Sequence, residues 1–80
     1  MPTLTINQTL EVFRANQVRL GVEALEQGIQ NGSFPFGTCI RGRGRDTYLI
    51  WRKLLDDWLA EHIENPITSS TVMAEMPYDA

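Results

Sequence analysis

The chain has 80 residues and a formal net charge of −3, so it holds one domain, and a core of that size buries only about 60% of the surface the unfolded chain exposes. That leaves little room for an enclosed active site. A single cysteine, Cys39, excludes an internal disulfide and a cysteine-rich metal site and suits a reducing cytoplasm. There is no apolar run of about 18 residues to span a membrane, and the N-terminus carries neither the basic nor the apolar region of a secretory signal.

Residues 4–17 read as a first helix. Thr5 and Gln8 have the spacing of a capping box, and Ile6, Leu10 and Phe13 recur at i, i+4 and i+7 with Val12 broadening that face. A break near Arg19-Leu20-Gly21 precedes a second helix, Val22 to Gln30, with Val22, Leu25 and Ile29 as its apolar stripe and Glu23, Glu26, Gln27 and Gln30 outward. Asn31-Gly32 stops it, because both residues tolerate positive φ. Pro35 then favours an extended connection in which Phe34 and Phe36 anchor to the core, with a stacking platform for bases as the alternative.

Residues 38–41 and 47–51 read as two strands rich in β-branched and aromatic types. Between them, Gly42-Arg43-Gly44-Arg45-Asp46 makes a tight, exposed turn, so the pair is a β-hairpin. The last helix runs from Arg52 to His62, with Leu54, Leu55, Trp58 and Leu59 on its packed side, and with His62 as a partly buried cap near Trp58. From Glu64 onward periodicity is lost; Pro66, Pro77 and a Thr-Ser-Ser-Thr run predict a loosely ordered acidic tail over residues 64–80, outside a folded domain of residues 1–63. The expected fold class is α+β: two N-terminal helices, a hairpin and a C-terminal helix.

The charges are divided unevenly. Residues 41–53 carry Arg41, Arg43, Arg45, Arg52 and Lys53 against Asp46 alone, whereas residues 54–80 carry Asp56, Asp57, Glu61, Glu64, Glu75 and Asp79 with no lysine or arginine. A local cationic face on an acidic protein binds anions. Arg41, Arg43 and Arg45 alternate with glycine, and such a slim element fits the minor groove of DNA, where A·T-rich stretches concentrate negative potential. Gln27, Gln30 and Asn31 are types that bond adenine edges or phosphates, and Arg52 and Lys53 are further phosphate contacts. An ordinary solvated face is the alternative for each group, and Glu23 and Glu26 count against base contact.

Catalytic patterns are missing from this reading. Asp56 and Asp57 are adjacent and point to different faces, His62 is the only histidine, and Gly42-Arg43-Gly44 lacks the third glycine and following helix of a dinucleotide loop. No cofactor, metal ligand set or catalytic residue is expected.

The run Leu25-Glu-Gln-Gly-Ile-Gln-Asn-Gly-Ser-Phe-Pro-Phe-Gly37, followed by Thr47-Tyr-Leu-Ile-Trp-Arg-Lys-Leu-Leu-Asp-Asp-Trp-Leu59, resembles the small excisionase-like proteins of prophages and mobile elements in Gram-positive bacteria. The resemblance covers about residues 20–60. It implies a reduced winged helix-turn-helix related to the mercury-regulator type, with Gln27, Gln30 and Asn31 on the recognition helix and Arg41, Arg43 and Arg45 on the wing. It further implies binding to double-stranded DNA, in several copies side by side, to bend it for an integrase. Two departures stand out: relatives are more basic on the recognition helix than Glu23 and Glu26 allow, and the stretch before Leu20 is longer than usual. A prophage transcriptional regulator is the alternative function, and a protein-interaction module without DNA binding is the alternative from another class.

Overall fold

The computed structural model describes residues 2–75, and its order of elements follows from a few local decisions. Thr5 makes the first. Its Oγ1 accepts from the Gln8 amide at 3.0 Å while Gln8 Oε1 accepts from the Thr5 amide at 2.9 Å, the reciprocal box that satisfies two orphan donors. Helix α1 therefore starts at Ile6 and runs Ile6–Ala15, two residues shorter at each end than the apolar pattern predicts. At its start, Leu4 is drawn off into a strand, β1 (Thr3–Leu4).

At the other end of α1, Gln17 turns left-handed at φ 67°. This lets the Val18 amide reach the Phe13 carbonyl at 2.9 Å and the Gln17 amide reach the Arg14 carbonyl at 3.0 Å. That is the Schellman closure, usually built on glycine, so the sequence carries no signal for it. An extended Gly21 then starts helix α2 (Val22–Gln30), whose buried side is Leu25, Gly28 and Ile29. Val22 does not join that side as expected; it is 44% exposed. The helix packs through its later turns, where Phe34 lies on Gly28, and the first turn stands clear of them.

Strands β2 (Gly37–Ile40) and β3 (Thr47–Trp51) form the expected hairpin, pairing from Gly37↔Ile50 to Ile40↔Thr47. On the other edge of β3, β1 adds Thr3↔Trp51 and Leu4↔Ile50, so the sheet is antiparallel in the order β1-β3-β2. β1 has two residues, too few for an alternating pattern to be seen. Helix α3 (Arg52–His62) follows β3 directly and buries Leu55 and Leu59. Leu54, expected on the packed side, is 46% exposed. His62 is exposed as well: it stacks on the Trp58 ring, with centroids 4.1 Å apart, and its Nδ1 lies 2.7 Å from the Trp58 carbonyl. The described residues thus form a small α+β fold of four helices and a three-stranded antiparallel sheet, and none of those helices is long and apolar enough to cross a membrane.

The fourth helix overturns the expected loose tail. Helix α4 spans Ser69–Glu75, puts Val72 into the core and buries Ser69 fully. Three side chains hold it. Asn16 bonds both backbone groups of Ile67, Nδ2 to the carbonyl at 2.9 Å and Oδ1 from the amide at 2.7 Å. Asp56 accepts from the Ser69 amide at 2.8 Å and from its hydroxyl at 2.9 Å. Arg52 donates to the Ser69 and Ser70 hydroxyls at 3.3 and 2.8 Å. Seven residues are too few to show amphipathic periodicity, and the partners that order them lie at positions 16, 52 and 56, so the composition of the tail alone is silent about them. Pro77, Tyr78 and Asp79 lie outside the described residues.

Around these elements the core gathers Leu4, Leu10, Val12, Phe13, Leu25, Ile29, Phe36, Ile50, Leu55, Leu59 and Val72. Four rings cross its middle: Phe34 stacks on Phe36 at 5.1 Å, and Trp58 meets Phe13, Phe34 and Phe36 edge-on at 5.9, 5.7 and 5.4 Å. Phe34 and Phe36 are therefore core anchors, as expected. Because α4 closes this core, a chain ending at Pro66 is expected to lose the burial of Val72, worth about 1.5–3 kcal/mol, together with the bonds of Asn16 and Asp56. Its thermal midpoint should fall by roughly 10 °C or more. A calorimetric scan that gives the truncated and full-length chains the same midpoint would contradict the docking of α4.

Candidate nucleic-acid interface

The hairpin tip is built by its glycines. Residues 41–46 join Ile40 to Thr47, the last pair of the ladder. A Cβ at Gly42 would lie 2.7 Å from the Arg45 carbonyl oxygen, and Gly44 sits at φ +84°, where side chains are strained. Only a backbone this lean closes the turn. Arg41, Arg43 and Arg45 all project into solvent from it. None of the three makes an ion pair or hydrogen bond among the described residues, so their guanidinium groups are free to meet an anion there.

Helix α2 supplies the second face. Glu23, Gln27 and Gln30 fall at i, i+4 and i+7, and the first and the two glutamines are all exposed. Val22 and Ala24 are exposed beside them on the first turn. Such methyl groups contact the thymine methyl in a major groove, and sequence reasoning passed them over because it assigned Val22 to the core.

The stripe runs toward the hairpin. Gln30 Nε2 donates to the Tyr48 hydroxyl at 2.5 Å, and Tyr48 is the second residue of β3, next to the tip. That bond draws the phenol toward ionisation, but partial burial, the Cys39 thiol and the Glu26 carboxylate outweigh it and raise the pKa above the ordinary phenol value. Tyr48 is thus a neutral hydroxyl at physiological pH, accepting from Gln30. Asn31 is committed too: its Oδ1 accepts from the Ser33 amide at 2.9 Å, within the turn that ends α2, leaving its Nδ2 to face outward as a donor.

The basic block of residues 41–53 does not stay together. Strand β3 carries the chain away from the tip, and its length puts the start of α3 on the order of 15 Å from Thr47. Arg52 also departs from its expected role as a phosphate contact, because its guanidinium binds the Ser69 and Ser70 hydroxyls and ties α3 to α4. Lys53 is exposed at that same far end. One cation was missed: Arg19, exposed and without an ion pair among the described residues, lies in the connection between α1 and α2. Its signal was present in the sequence as a cation within the helix-to-helix break.

Compared with protein-family models, curated proteins and solved structures, the chain gives no match in any of the three. The functional reading therefore stands on the geometry of the molecule.

The separate duties of Arg52 and Lys53 are open to measurement. Replacing Arg52 with alanine should cost about 1–3 kcal/mol, as expected for bonds from a charged donor, and lower the midpoint by about 5–10 °C. Lys53→Ala should stay within about 0.5 kcal/mol of the parent, as for other surface changes. Equal midpoints for the two variants would remove Arg52 from the structural role.

Proposed function

We propose that the protein is a sequence-specific DNA-binding protein with a winged helix-turn-helix. In this reading α1 and α2 are the helix-turn-helix, α2 reads the major groove and the β2–β3 hairpin is the wing. The observation that carries the reading is the contiguity of the exposed α2 stripe with a hairpin tip bearing three unpaired arginines, joined through Gln30 and Tyr48. A helix with outward amides offers base-edge bonds, and a thin cationic tip beside it offers phosphate or minor-groove contacts; duplex DNA presents both at once. The net charge of −3 is unevenly placed: Asp56, Asp57, Glu61 and Glu64 lie on α3 and just after it, Glu23 and Glu26 lie on α2, and the free arginines lie at the tip.

Within that class the order of elements fits an excisionase of a prophage or mobile element, located in the cytoplasm. A domain of this size contacts few base pairs, so specificity requires several copies on adjacent sites. Copies laid side by side bend the duplex into a geometry that an integrase uses for excision. The covalent chemistry then belongs to the recombinase, and this chain is not an enzyme and needs no cofactor. A promoter-bound regulator of prophage genes uses the same surface. A protein-interaction module is the second reading, favoured by Ile40 and Trp51, exposed by 49% and 38% on the outer face of the sheet.

Salt titration separates these classes. Each phosphate neutralised releases counterions, so duplex affinity falls steeply with salt. Replacing Arg41, Arg43 and Arg45 together with alanine should leave the thermal midpoint unchanged within about 0.5 kcal/mol. The same variant should weaken duplex binding sharply and reduce the salt slope by up to about three units. Binding that ignores both salt and the triple change speaks for the protein-interaction module. Cooperative shifts, bending and integrase-dependent excision speak for the excisionase; a single complex at a promoter with excision unaffected speaks for the regulator.

A further inference from the structure

Gln30 has less freedom than an exposed glutamine on a reading helix is usually granted. An unrestrained carboxamide rotates to offer either its oxygen or its nitrogen to a base, so it discriminates weakly until something fixes its plane. Here something does. Nε2 is directed at the Tyr48 hydroxyl oxygen at 2.5 Å. Tyr48 itself is held in the sheet opposite Cys39, its partner across the β2–β3 ladder. In the bond from Gln30 the phenol oxygen accepts, which leaves Oε1 as the amide atom of Gln30 that is free to turn outward.

The frame around this bond is stiff. Gly37 of β2 sits beneath Ile29, where a Cβ would come within 3.0 Å of Cδ1, and Phe34 lies against Gly28, the residue before Ile29. Neither the end of α2 nor the base of the hairpin can shift without disturbing these contacts.

We propose that Tyr48 is a positioning residue for DNA recognition: by holding Nε2 of Gln30 it turns the amide oxygen outward, so that Gln30 selects a base whose major-groove edge carries an amino group, adenine or cytosine. Guanine and thymine offer only acceptors at the corresponding positions, and the fixed oxygen rejects them. The inference rests on the DNA-binding reading given above and names what one residue of that surface recognises.

The experiment is selection of binding sites from a pool of random duplexes by the full chain, three single variants and one double variant, with the thermal midpoint of each measured alongside. The parent chain should enrich a motif with one position restricted to adenine or cytosine by about tenfold, the range of a well-placed base contact. Gln30→Ala should lose that restriction and keep the rest of the motif. Gln30→Glu, which presents only oxygens, should bind more weakly at every site and yet keep an amino-bearing base, shifted toward cytosine. Tyr48→Phe leaves the ring in place and removes the hydroxyl; guanine or thymine should then be admitted at that position, with Gln30→Ala adding nothing further in the double variant. If the parent enriches a motif and Tyr48→Phe enriches the same one, the positioning role is wrong while the DNA-binding reading stands. A restricted position that admits guanine or thymine in the parent overturns the assignment of the oxygen. If the parent enriches no duplex at all, the DNA-binding reading fails and this inference fails with it.

Discussion

The fold hangs on a flat contact between a glycine and a ring. At Gly28 a Cβ would fall 2.3 Å from the Phe34 ring, so α2 gives up a helix-favouring residue, at about 1 kcal/mol relative to alanine, to let that ring lie on its backbone. Phe34 in turn stacks on Phe36, and Trp58 and Phe13 close around the pair. One ring comes from α1, two from the connection after α2 and one from α3, so all three long helices are located by the same cluster. The cluster takes four of the chain's seven aromatic residues, and the aliphatic core residues pack around it.

This arrangement explains how a net acidic protein supports a cationic hairpin tip. The cluster consumes the inner faces of α1, α2 and α3, which leaves the three arginines of the hairpin tip with no partner and the outer face of α2 held only by Gln30 against Tyr48. Arg41, Arg43 and Arg45 make no ion pair among the described residues, whereas Arg52, only seven positions after Arg45, is spent on holding Ser69 and Ser70. Adjacency along the chain is a poor guide to adjacency in space once a strand intervenes, because each strand residue carries the chain about 3.3 Å further.

What was legible in the sequence follows the same division. The capping box of Thr5 and Gln8, the end of α2 at Asn31, the hairpin and the span of α3 are set by contacts within a few residues, and the sequence displays them. The two-residue β1, the left-handed Gln17 and α4 are set by partners elsewhere: Leu4 is placed by Ile50, and Ser69 by Asp56. Val22 and Leu54 have the right spacing for burial and lack a neighbour to bury them, which no periodicity records. For the candidate site, the arginine tip was visible as alternation with glycine. The commitments of Gln30 to Tyr48 and of Asn31 to Ser33 were not, since hydrogen-bond partners are chosen only after the elements dock. The lone glycine inside α2 is, with Arg19, an overlooked local signal, because a mid-helix glycine usually has a packing reason.

The bridge from Asn16 to Ile67 orders events in time. It joins positions 51 residues apart, and closing so long a loop from the unfolded chain costs about 3–4 kcal/mol. Once the rings have assembled around Trp58, the open stretch from Trp58 to Ile67 is short and the cost falls to about 2 kcal/mol. Docking of α4 is therefore a late step, taken after the cluster exists. By the same accounting it is the first step to reverse, since it releases little surface while α1, α2 and α3 stay together. Opening over Val72 and Ser69 is therefore the local excursion that costs the molecule least, because it leaves the ring cluster that locates α1, α2 and α3 intact.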